Sequence, residues 1–270
     1  MNLQLKKFNM KKIKDDEVVV LIGKRNTGKS FLTKDLLYHH RDIPAGTVIS
    51  PTEGANKFYS DMIPPILIHE EYNNPIIMNF MKRQKKLKKQ IMNDGDKSID
   101  NRAFLILDDC LYDSGWKNDK QIREIFMNGR HWGIMFILIM QFALGIPPNL
   151  RTNIDYVFIL RENIYNNRKK LYEHYAGMFP TFEMFNSTMD QCTENYECLV
   201  IHCSAKSNKL EDQVFWYKAD SHDNFRICSP EVWDYSNKHY IEDDEENQDD
   251  VREYIKSKRK GPELQIKKTI

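Results

Sequence analysis

Residues 23–30 read Gly23-Lys-Arg-Asn-Thr-Gly28-Lys29-Ser30, which matches the pattern G-x-x-x-x-G-K-[ST]. The stretch follows the apolar segment 18–22, which is typical of a buried strand, and it opens a helical pattern from Ser30 to about Tyr38. A glycine-rich loop between a strand and a helix is suited to binding phosphate groups. We therefore expect an α/β domain with a nucleotide site at this loop.

Each position of the loop has a chemical role. Gly23 and Gly28 let the backbone turn its N–H groups toward phosphate oxygens at the start of a helix, where the helix dipole favours anions. The Lys29 ammonium neutralises the β- and γ-phosphates, and the Ser30 hydroxyl is a hard oxygen ligand for Mg²⁺. The expected cofactors are therefore ATP and Mg²⁺. The expected nucleotide contacts are Gly23, Lys24, Arg25, Asn26, Thr27, Gly28, Lys29, Ser30 and Phe31.

A second motif ends another apolar run, residues 104–107, with the carboxylates of Asp108 and Asp109. In a parallel sheet such a strand end faces the ligand. We expect Asp108 to hold Mg²⁺ through water and Asp109 to act as the general base that polarises the attacking water. The alternative is a solvated turn without a catalytic role.

Gln141 follows the strand-like segment 133–140, and from that position its amide can sense the γ-phosphate or orient water. The alternative is an ordinary loop glutamine. Arginines at the ends of elements are candidates to stabilise the charge of the transferring phosphoryl group. The candidates are Arg130, Arg151 and Arg161, and we favour Arg130 over a surface or salt-bridging role.

Short apolar runs alternate with amphipathic helical patterns, which is typical of parallel strands joined by helical crossovers. The expected strands are 18–22, 47–50, 104–107, 133–140 and 156–160, with 196–202 and 213–217 extending the sheet at its edge. The expected helices include 75–92 capped by Asn74, 120–128 capped by Asp119, and 164–175. The fold class is α/β, with a central, mostly parallel sheet flanked by helices.

The composition is that of a globular protein, with 41% hydrophobic and 29% charged residues in a chain of 270. The longest apolar run, 134–140, is far shorter than a membrane span, and no secretory leader pattern is visible, so we expect an intracellular protein that is not secreted. The five cysteines form no C-x-x-C pair and indicate neither a disulfide framework nor a zinc site.

Charge is segregated although the net charge is only +1. We expect a basic N-terminal arm at 1–16, a nucleotide-binding domain at 17–240 and a flexible charged tail at 241–270. The tail holds the acidic run Glu242 to Asp250, which could dock on a basic capsid or portal protein or serve only to solvate the tail. The basic segments are 6–14, 82–89 and 256–260.

The combination of motifs resembles the genome-packaging ATPases of nucleocytoplasmic large DNA viruses, the poxvirus type within the FtsK/HerA superfamily. The resemblance covers about Glu17 to Trp233. It rests on the 23–30 loop, the Asp108-Asp109 pair, the Asn-Gly-Arg-His segment at 128–131, and the stretch from Met140-Gln141 through 145–155.

The resemblance implies a RecA-like P-loop NTPase core of the ASCE type, with an extra strand between the two motif-bearing strands. It also implies a homo-oligomeric ring, a pentamer or hexamer, around double-stranded DNA that it moves into a capsid without reading sequence, in the host cytoplasm or the virion. By position, Lys29 and Ser30 take the phosphate and metal roles, Gln141 the sensor role, and Arg130 that of a finger acting on the neighbouring subunit. Asp109 departs from the superfamily, in which glutamate is common there.

Other functions remain open. A P-loop protein can bind ATP as an assembly switch without turnover, or be a small-molecule kinase or GTPase, although no N-K-x-D guanine reader is present. Lys82 to Lys89 is the candidate DNA contact, and the alternative is a solvated helix face. Aromatics such as Phe215 to Tyr217 are expected to pack against the sheet rather than stack on bases.

Overall fold

The structure is a computed structural model that describes residues 3–95, 98–110 and 115–240. Its strands are β1 Lys6–Lys7, β2 Val18–Ile22, β3 Gly46–Ile49, β4 Ile68–His69, β5 Ala103–Asp108, β6 Ile134–Met140, β7 Tyr156–Ile159, β8 Glu197–His202 and β9 Val214–Lys218. Its α-helices are α1 Lys29–His39, α2 Glu53–Asn56, α3 Asn74–Asp94, α4 Gly115–Asn118, α5 Lys120–Asn128, α6 Pro148–Arg151, α7 Tyr165–Tyr175, α8 Phe182–Cys192, α9 Leu210–Gln213 and α10 Pro230–His239.

All of these strands belong to one sheet, in the order β1-β9-β8-β7-β2-β6-β5-β3-β4. From β7 to β4 every neighbouring pair is parallel, whereas β8 runs antiparallel to both β7 and β9. The extra strand between β2 and β5 is β6, as the resemblance implied. Because β2, β5, β6 and β7 are parallel, their carboxyl ends lie at one edge of the sheet.

The central strands are buried on both faces, which is why their sequences are continuously apolar. Alternate residues face two separate cores: Val20 and Leu138 belong to one, and Val19 and Ile137 to the other. On the first face pack α3, α5, α7 and α8; on the second packs α1. The expected mostly parallel sheet flanked by helices is confirmed.

Of the two helix caps expected from the sequence, the structure has Asp119 but not Asn74. Asp119 caps α5 as expected, because its carboxylate accepts hydrogen bonds from the backbone N–H groups of Gln121 and Ile122. Asn74, expected as the cap of α3, is instead its first residue. Its side chain donates to Asp119 Oδ2 at 2.5 Å, so a tertiary contact takes the group that the sequence assigned to a local cap.

The basic N-terminal segment contributes a strand to the sheet and apolar side chains to one of its cores. Lys6 and Lys7 pair in parallel with Phe215 and Trp216, so β1 rather than β9 forms this edge of the sheet. Phe8 is 3% exposed and makes edge-to-face contacts with four aromatic rings. The segment folds in because its apolar residues alternate with lysines whose charged ends reach solvent.

Residues after β9 return across the domain. The N–H groups of Ile227 and Ser229 donate to the carbonyls of Met62 and Pro44, which joins the chain before α10 to the opposite end of the sheet. Of the helices in the described ranges, none combines the length and apolar content that crossing a bilayer requires. The expected charged tail, with the acidic run 242–250 and the basic run 256–260, lies outside the described residues.

Candidate nucleotide site

The loop between β2 and α1 has a backbone that requires glycine. Gly28 caps α1 at φ 99°, and Asn26 is also left-handed at φ 61°. A Cβ added to Gly23 would lie 2.9 Å from the Cβ of Leu160, so the close approach of this loop to the end of β7 depends on the missing side chain. The result is a concave backbone at a helix N-terminus, which fits a chain of phosphates.

The Lys29 side chain curls back over the loop. Its Nζ donates to the carbonyl oxygens of Gly23 at 2.7 Å and Lys24 at 3.1 Å. Burial lowers the pKa of Lys29, and the negative charges of Asp109 and Asp108 counteract that shift. The ammonium is therefore held at the mouth of the loop, facing the carboxylates, where a phosphate group would be its natural partner.

Lys24 and Thr27 brace the loop. Thr27 Oγ1 donates to the Lys24 carbonyl at 2.8 Å, and Lys24 Nζ lies 2.6 Å from Oε1 of Glu162. Burial alone would raise the pKa of Glu162, but hydrogen bonds from Lys24, the Ile164 backbone and Asn167 together lower it. The ammonium of Lys24, an expected nucleotide contact, is thus engaged with the residue that follows β7.

The two carboxylates lie at the carboxyl end of β5, at the same sheet edge, with Asp108 as its last residue. The Asp109 backbone has a left-handed φ of 52°, and its N–H donates to the Ile139 carbonyl at 3.1 Å. Asp108 Oδ2 accepts a hydrogen bond from the Tyr59 hydroxyl at 2.8 Å. Burial raises the pKa of Asp108 to about 6 with help from Asp109, while Tyr59 and Lys29 act in the opposite direction.

Gln141, at the end of β6, reaches the same carboxylate pair. Its Nε2 donates to Asp109 Oδ2 at 2.6 Å. Because β6 lies between β2 and β5, the pairing order of the sheet brings this amide next to Asp109. Three residues that the sequence placed on three separate motifs, Lys29, Asp109 and Gln141, therefore share one site.

An open cleft of about 690 Å³ lies over these groups. Ser30 is exposed in it, and Phe31 is 50% exposed at its wall. A Ser30 hydroxyl and an Asp108 carboxylate that line one cleft are the hard oxygen donors that Mg²⁺ prefers. The cradle at Gly23 and Gly28 and this donor set fit a magnesium nucleotide. The predicted contacts that line the cleft are Lys24, Arg25, Asn26, Gly28, Lys29, Ser30 and Phe31.

Tyr196 also lines the cleft and was not expected there. It follows Asn195 in a turn where both residues are left-handed, at φ 50° and 64°, and its side chain is 70% exposed. Each such conformation costs about 1–3 kcal/mol for a residue other than glycine. The turn sets the ring against the phosphate loop, 3.3 Å from where a Cβ on Gly28 would lie. Sequence periodicity carries no signal for this placement.

Tyr59 and Glu53 form a support for Asp108 that the sequence also did not reveal. The Glu53 carboxylate accepts hydrogen bonds from the backbone N–H groups of Tyr59 and Ser60, at 2.8 to 3.1 Å. Both Glu53 and Tyr59 are buried, at 6% and 1% exposure. The carboxylate therefore fixes the backbone from which the Tyr59 hydroxyl orients Asp108.

The structure does not bring Arg130 to these groups within the chain. Arg130 pairs with Asp155 at 3.2 Å, and Asp155 also accepts the N–H of Val18, at the amino ends of β2 and β7. That edge of the sheet is opposite the phosphate loop. Arg151 lies over the Tyr175 ring, while Arg161 follows β7 at the phosphate edge. A role of Arg130 in this site therefore needs a second subunit.

Comparisons with known proteins agree with this geometry. A family model described as Poxvirus A32 protein matches residues 5–229. A protein of Acanthamoeba polyphaga mimivirus is 40% identical over 241 residues, 88% of this chain and 84% of the relative. A protein of Invertebrate iridescent virus 6 is 44% identical over 207 residues, 76% of this chain and 78% of the relative.

Solved structures support the fold. The genome packaging NTPase B204 of Sulfolobus turreted icosahedral virus 2, in complex with ATP-gammaS, matches with a TM-score of 0.51 at 18% identity. The match covers 76% of this chain and 98% of that chain. The sulfate complex of the same NTPase gives a TM-score of 0.53 at 17% identity, over 78% of this chain and 100% of that one. The expected P-loop NTPase core is confirmed.

The raised pKa of Asp108 predicts that the stability of the nucleotide-free protein depends on pH. Its folded value of about 6 exceeds the ordinary 3.8, so the native state favours the protonated carboxyl. The stabilisation that comes from the protonated Asp108 carboxyl is present at low pH and is lost as pH rises through about 6. We expect Asp108→Asn to raise the free energy of unfolding above pH 7 by about 1–3 kcal/mol in protein free of nucleotide and Mg²⁺. Urea denaturation between pH 4 and 8 measures it.

The matched control is Asp61→Asn, since Asp61 is exposed on the segment after α2. It should leave the pH profile of stability unchanged. Equal stability of the wild type and Asp108→Asn at pH 8 would show that Asp108 is not strained by burial.

Proposed function

Since this chain belongs to the poxvirus A32 protein family, we propose that it is a genome-packaging ATPase that couples ATP hydrolysis to the movement of double-stranded viral DNA into a capsid. The observation that carries the proposal is the convergence of Lys29, Asp108 and Asp109 at one open cleft beside the phosphate loop, with Gln141 hydrogen-bonded to Asp109. The viral relatives place the family in large DNA viruses. The packaging NTPase with the same fold is described in complex with an ATP analogue.

In this proposal the loop N–H groups and Lys29 bind the phosphates, and Ser30 and Asp108 hold Mg²⁺. When bound, Mg²⁺ neutralises charge on the β- and γ-phosphates. Asp109 accepts the proton of the attacking water, which requires a carboxylate within one hydrogen bond of that water. The hydrogen bond from Gln141 holds one Asp109 oxygen in place and leaves the other for the water.

Asp109 is one methylene shorter than glutamate, and its backbone is fixed at the end of β5. The left-handed φ of 52° turns the residue at the strand end, and the hydrogen bond of its N–H to Ile139 holds that turn. Gln141, on the same neighbouring strand as Ile139, is then at 2.6 Å. Asp109 therefore serves as the base because both its backbone and its side chain are fixed by β6.

Contact with DNA is assigned to the basic face of α3. Lys82, Lys86 and Lys89 are exposed, whereas Lys85 is paired with Glu124 at 2.6 Å. Lysines on a helix face bind the phosphate backbone without reading bases, which suits a motor that must accept any sequence. The proposed ring, a pentamer or hexamer, would work where virions assemble, in the host cytoplasm or the virion, against a capsid or portal protein.

The first test is ATP hydrolysis by the purified protein with and without long duplex DNA. We expect duplex to stimulate turnover. Lys29→Ala and Asp109→Asn should each lower turnover by about 10²- to 10⁴-fold, because they remove the phosphate-binding cation and the general base. The matched variant with Lys82, Lys86 and Lys89 changed to Gln should keep basal turnover and lose the stimulation.

Two outcomes would contradict parts of the proposal. ATP binding without turnover, with or without DNA, would indicate an ATP-binding assembly switch. Stimulation that survives in the triple Gln variant would place the DNA contact outside α3.

A finger that acts on the neighbouring subunit predicts complementation between inactive variants. Arg130→Ala retains its own phosphate loop, and Lys29→Ala retains Arg130. Each alone should be inactive, but mixing them should restore part of the activity, since adjacent subunits then form complete sites. Turnover measured against mixing ratio tests this.

Arg130→Lys is the folding control, because it keeps a cation beside the buried Asp155 but lacks the guanidinium fork. Full activity of Arg130→Ala alone would exclude Arg130 as the finger and leave Arg161, which already lies at the phosphate edge.

The placement of Tyr196 predicts a role in holding the base of the nucleotide. Its exposed ring stands beside the phosphate loop, and stacking on a base is worth about 1–3 kcal/mol. We expect Tyr196→Ala to weaken ATP binding about tenfold and to leave tripolyphosphate binding unchanged, since that ligand has no base. Calorimetric titration with both ligands measures this.

Tyr196→Phe should bind ATP like the wild type, and Tyr165→Ala, which removes another exposed ring, is the matched control. Equal weakening of ATP and tripolyphosphate would instead mean that Tyr196 supports the loop.

A further inference from the structure

A second cluster of polar side chains lies between α1 and the segment that follows β9. Asp35 and His39 come from α1, and His222 comes from that segment. One ligand atom from each residue lies within 4.8 Å of the others. Asp35 is fully buried, and the side chains of His39 and His222 are 17% and 12% exposed. None of the three lines the nucleotide cleft.

Both imidazoles aim the same nitrogen at one carboxylate oxygen. Nε2 of His222 lies 2.5 Å from Asp35 Oδ1, and Nε2 of His39 lies 3.5 Å from it. Ligand atoms about 2.0–2.2 Å from a tetrahedral Zn²⁺ are themselves about 3.3–3.6 Å apart. The His39 distance already fits that geometry. The His222 ring would need to retreat by only about 1 Å to fit it.

The other carboxylate oxygen of Asp35 is held by two hydrogen bonds. Asp35 Oδ2 accepts hydrogen bonds from the Tyr217 hydroxyl at 2.6 Å and the Asp220 N–H at 3.3 Å. The His222 ring is stacked on Tyr38, with centroids 3.7 Å apart and planes within 11°. Outer contacts of this kind, which orient a ligand without touching the ion, are typical of built metal sites.

The charges of the cluster favour a cation. The hydroxyl and amide that bind Asp35 Oδ2 are neutral, and Oδ1 is hydrogen-bonded to His222, a contact that a cation held between the imidazoles and Oδ1 would replace.

We propose that Asp35, His39 and His222 bind one Zn²⁺ ion, with water as the fourth ligand. A donor set of two imidazoles and one carboxylate suits this ion. The ion would join the segment after β9 to α1, the helix that begins with Lys29 and Ser30. Its site is separate from the nucleotide cleft, so the proposal does not depend on ATP hydrolysis.

The test uses Co²⁺ as a spectroscopic probe of the full chain, in the absence of nucleotide. We expect one equivalent of Co²⁺ per chain, visible absorption of a tetrahedral site, and displacement by Zn²⁺. Zn²⁺ should also raise the melting temperature, because it binds only the folded arrangement. Failure of the wild type to bind one equivalent of either ion in competition with a weak chelator would overturn the proposal.

The variants assign the site. His39→Gln and His222→Gln should abolish stoichiometric binding, while the Gln amide still donates a hydrogen bond to Asp35 and preserves the fold. Tyr217→Phe keeps all three ligands and should weaken Co²⁺ binding by about 10- to 100-fold. His174→Gln, on α7, and Asp108→Asn, in the nucleotide cleft, are the controls and should bind like the wild type.

Two further results would refute the assignment. Unchanged affinity in folded His39→Gln and His222→Gln would move the metal elsewhere. A strong near-ultraviolet thiolate band of bound Co²⁺ would mean that a cysteine is a ligand. If either Gln variant failed to fold, the Tyr217→Phe measurement would decide, since wild-type affinity in that variant contradicts the proposal.

Discussion

Parallel pairing of buried strands is the constraint on which the rest of this structure depends. β5, β6, β2 and β7 lie side by side in one direction and are buried on both faces. Such strands need helices on both sides, and they deliver their carboxyl ends to one edge. The phosphate loop begins directly after β2, Asp108 ends β5 and Asp109 follows it, and Gln141 follows β6. The parallel order of the strands therefore brings these groups together.

Four of the six non-glycine residues with positive φ in the described part of the chain lie at the site edge. Asn26, Asp109, Asn195 and Tyr196 are left-handed there without being glycine, and Asp108 is a buried carboxylate whose pKa is raised. Strained backbone and unfavourable charge at a binding site persist only where the surrounding core is strong enough to hold them. Here the two cores on either side of the sheet supply that support, and Glu53 transmits it to Asp108 through Tyr59.

Helix α1 is held by apolar packing on one face and by polar contacts at Asp35. One face of the helix packs on the sheet through Leu32 and Leu36, and its N-terminus presents Lys29. A neighbouring position, Asp35, is buried against Tyr217 of β9 and His222 beyond it. The helix that carries the nucleotide loop is therefore anchored along its length by apolar packing, and at Asp35 by a polar cluster. Movement of the segment after β9 would act on α1 at that point.

The sequence by itself determined the architecture and the chemistry of the cleft. Continuous apolar runs identified the central strands within a residue or two, because burial on both faces leaves no alternative to apolar side chains. The glycines and the Lys29-Ser30 pair identified the loop, because its backbone conformation excludes other residues at Gly28. The position of Gln141 directly after a predicted strand added its amide, and the resemblance to packaging ATPases gave it the sensor role. Each of these signals depends on residues that are close together in the sequence, so it can be recognised without the three-dimensional structure.

Only the tertiary structure decided which distant residues complete the site. Tyr59 and Tyr196 sit in irregular segments and Glu53 begins the one-turn helix α2, so no periodicity relates these positions to the cleft. The cap role of Asn74 was an expectation from local pattern that a long-range contact with Asp119 replaced. The aromatic rings around Phe8 hold the N-terminal segment on the sheet. Arg130 was predicted as a site residue from its motif alone, and in the structure it lies at the sheet edge opposite the phosphate loop. Asp35 and His222 are separated by most of the chain, and no spacing in the sequence relates them, because the strand order that joins them is set by packing free energy summed over the whole domain.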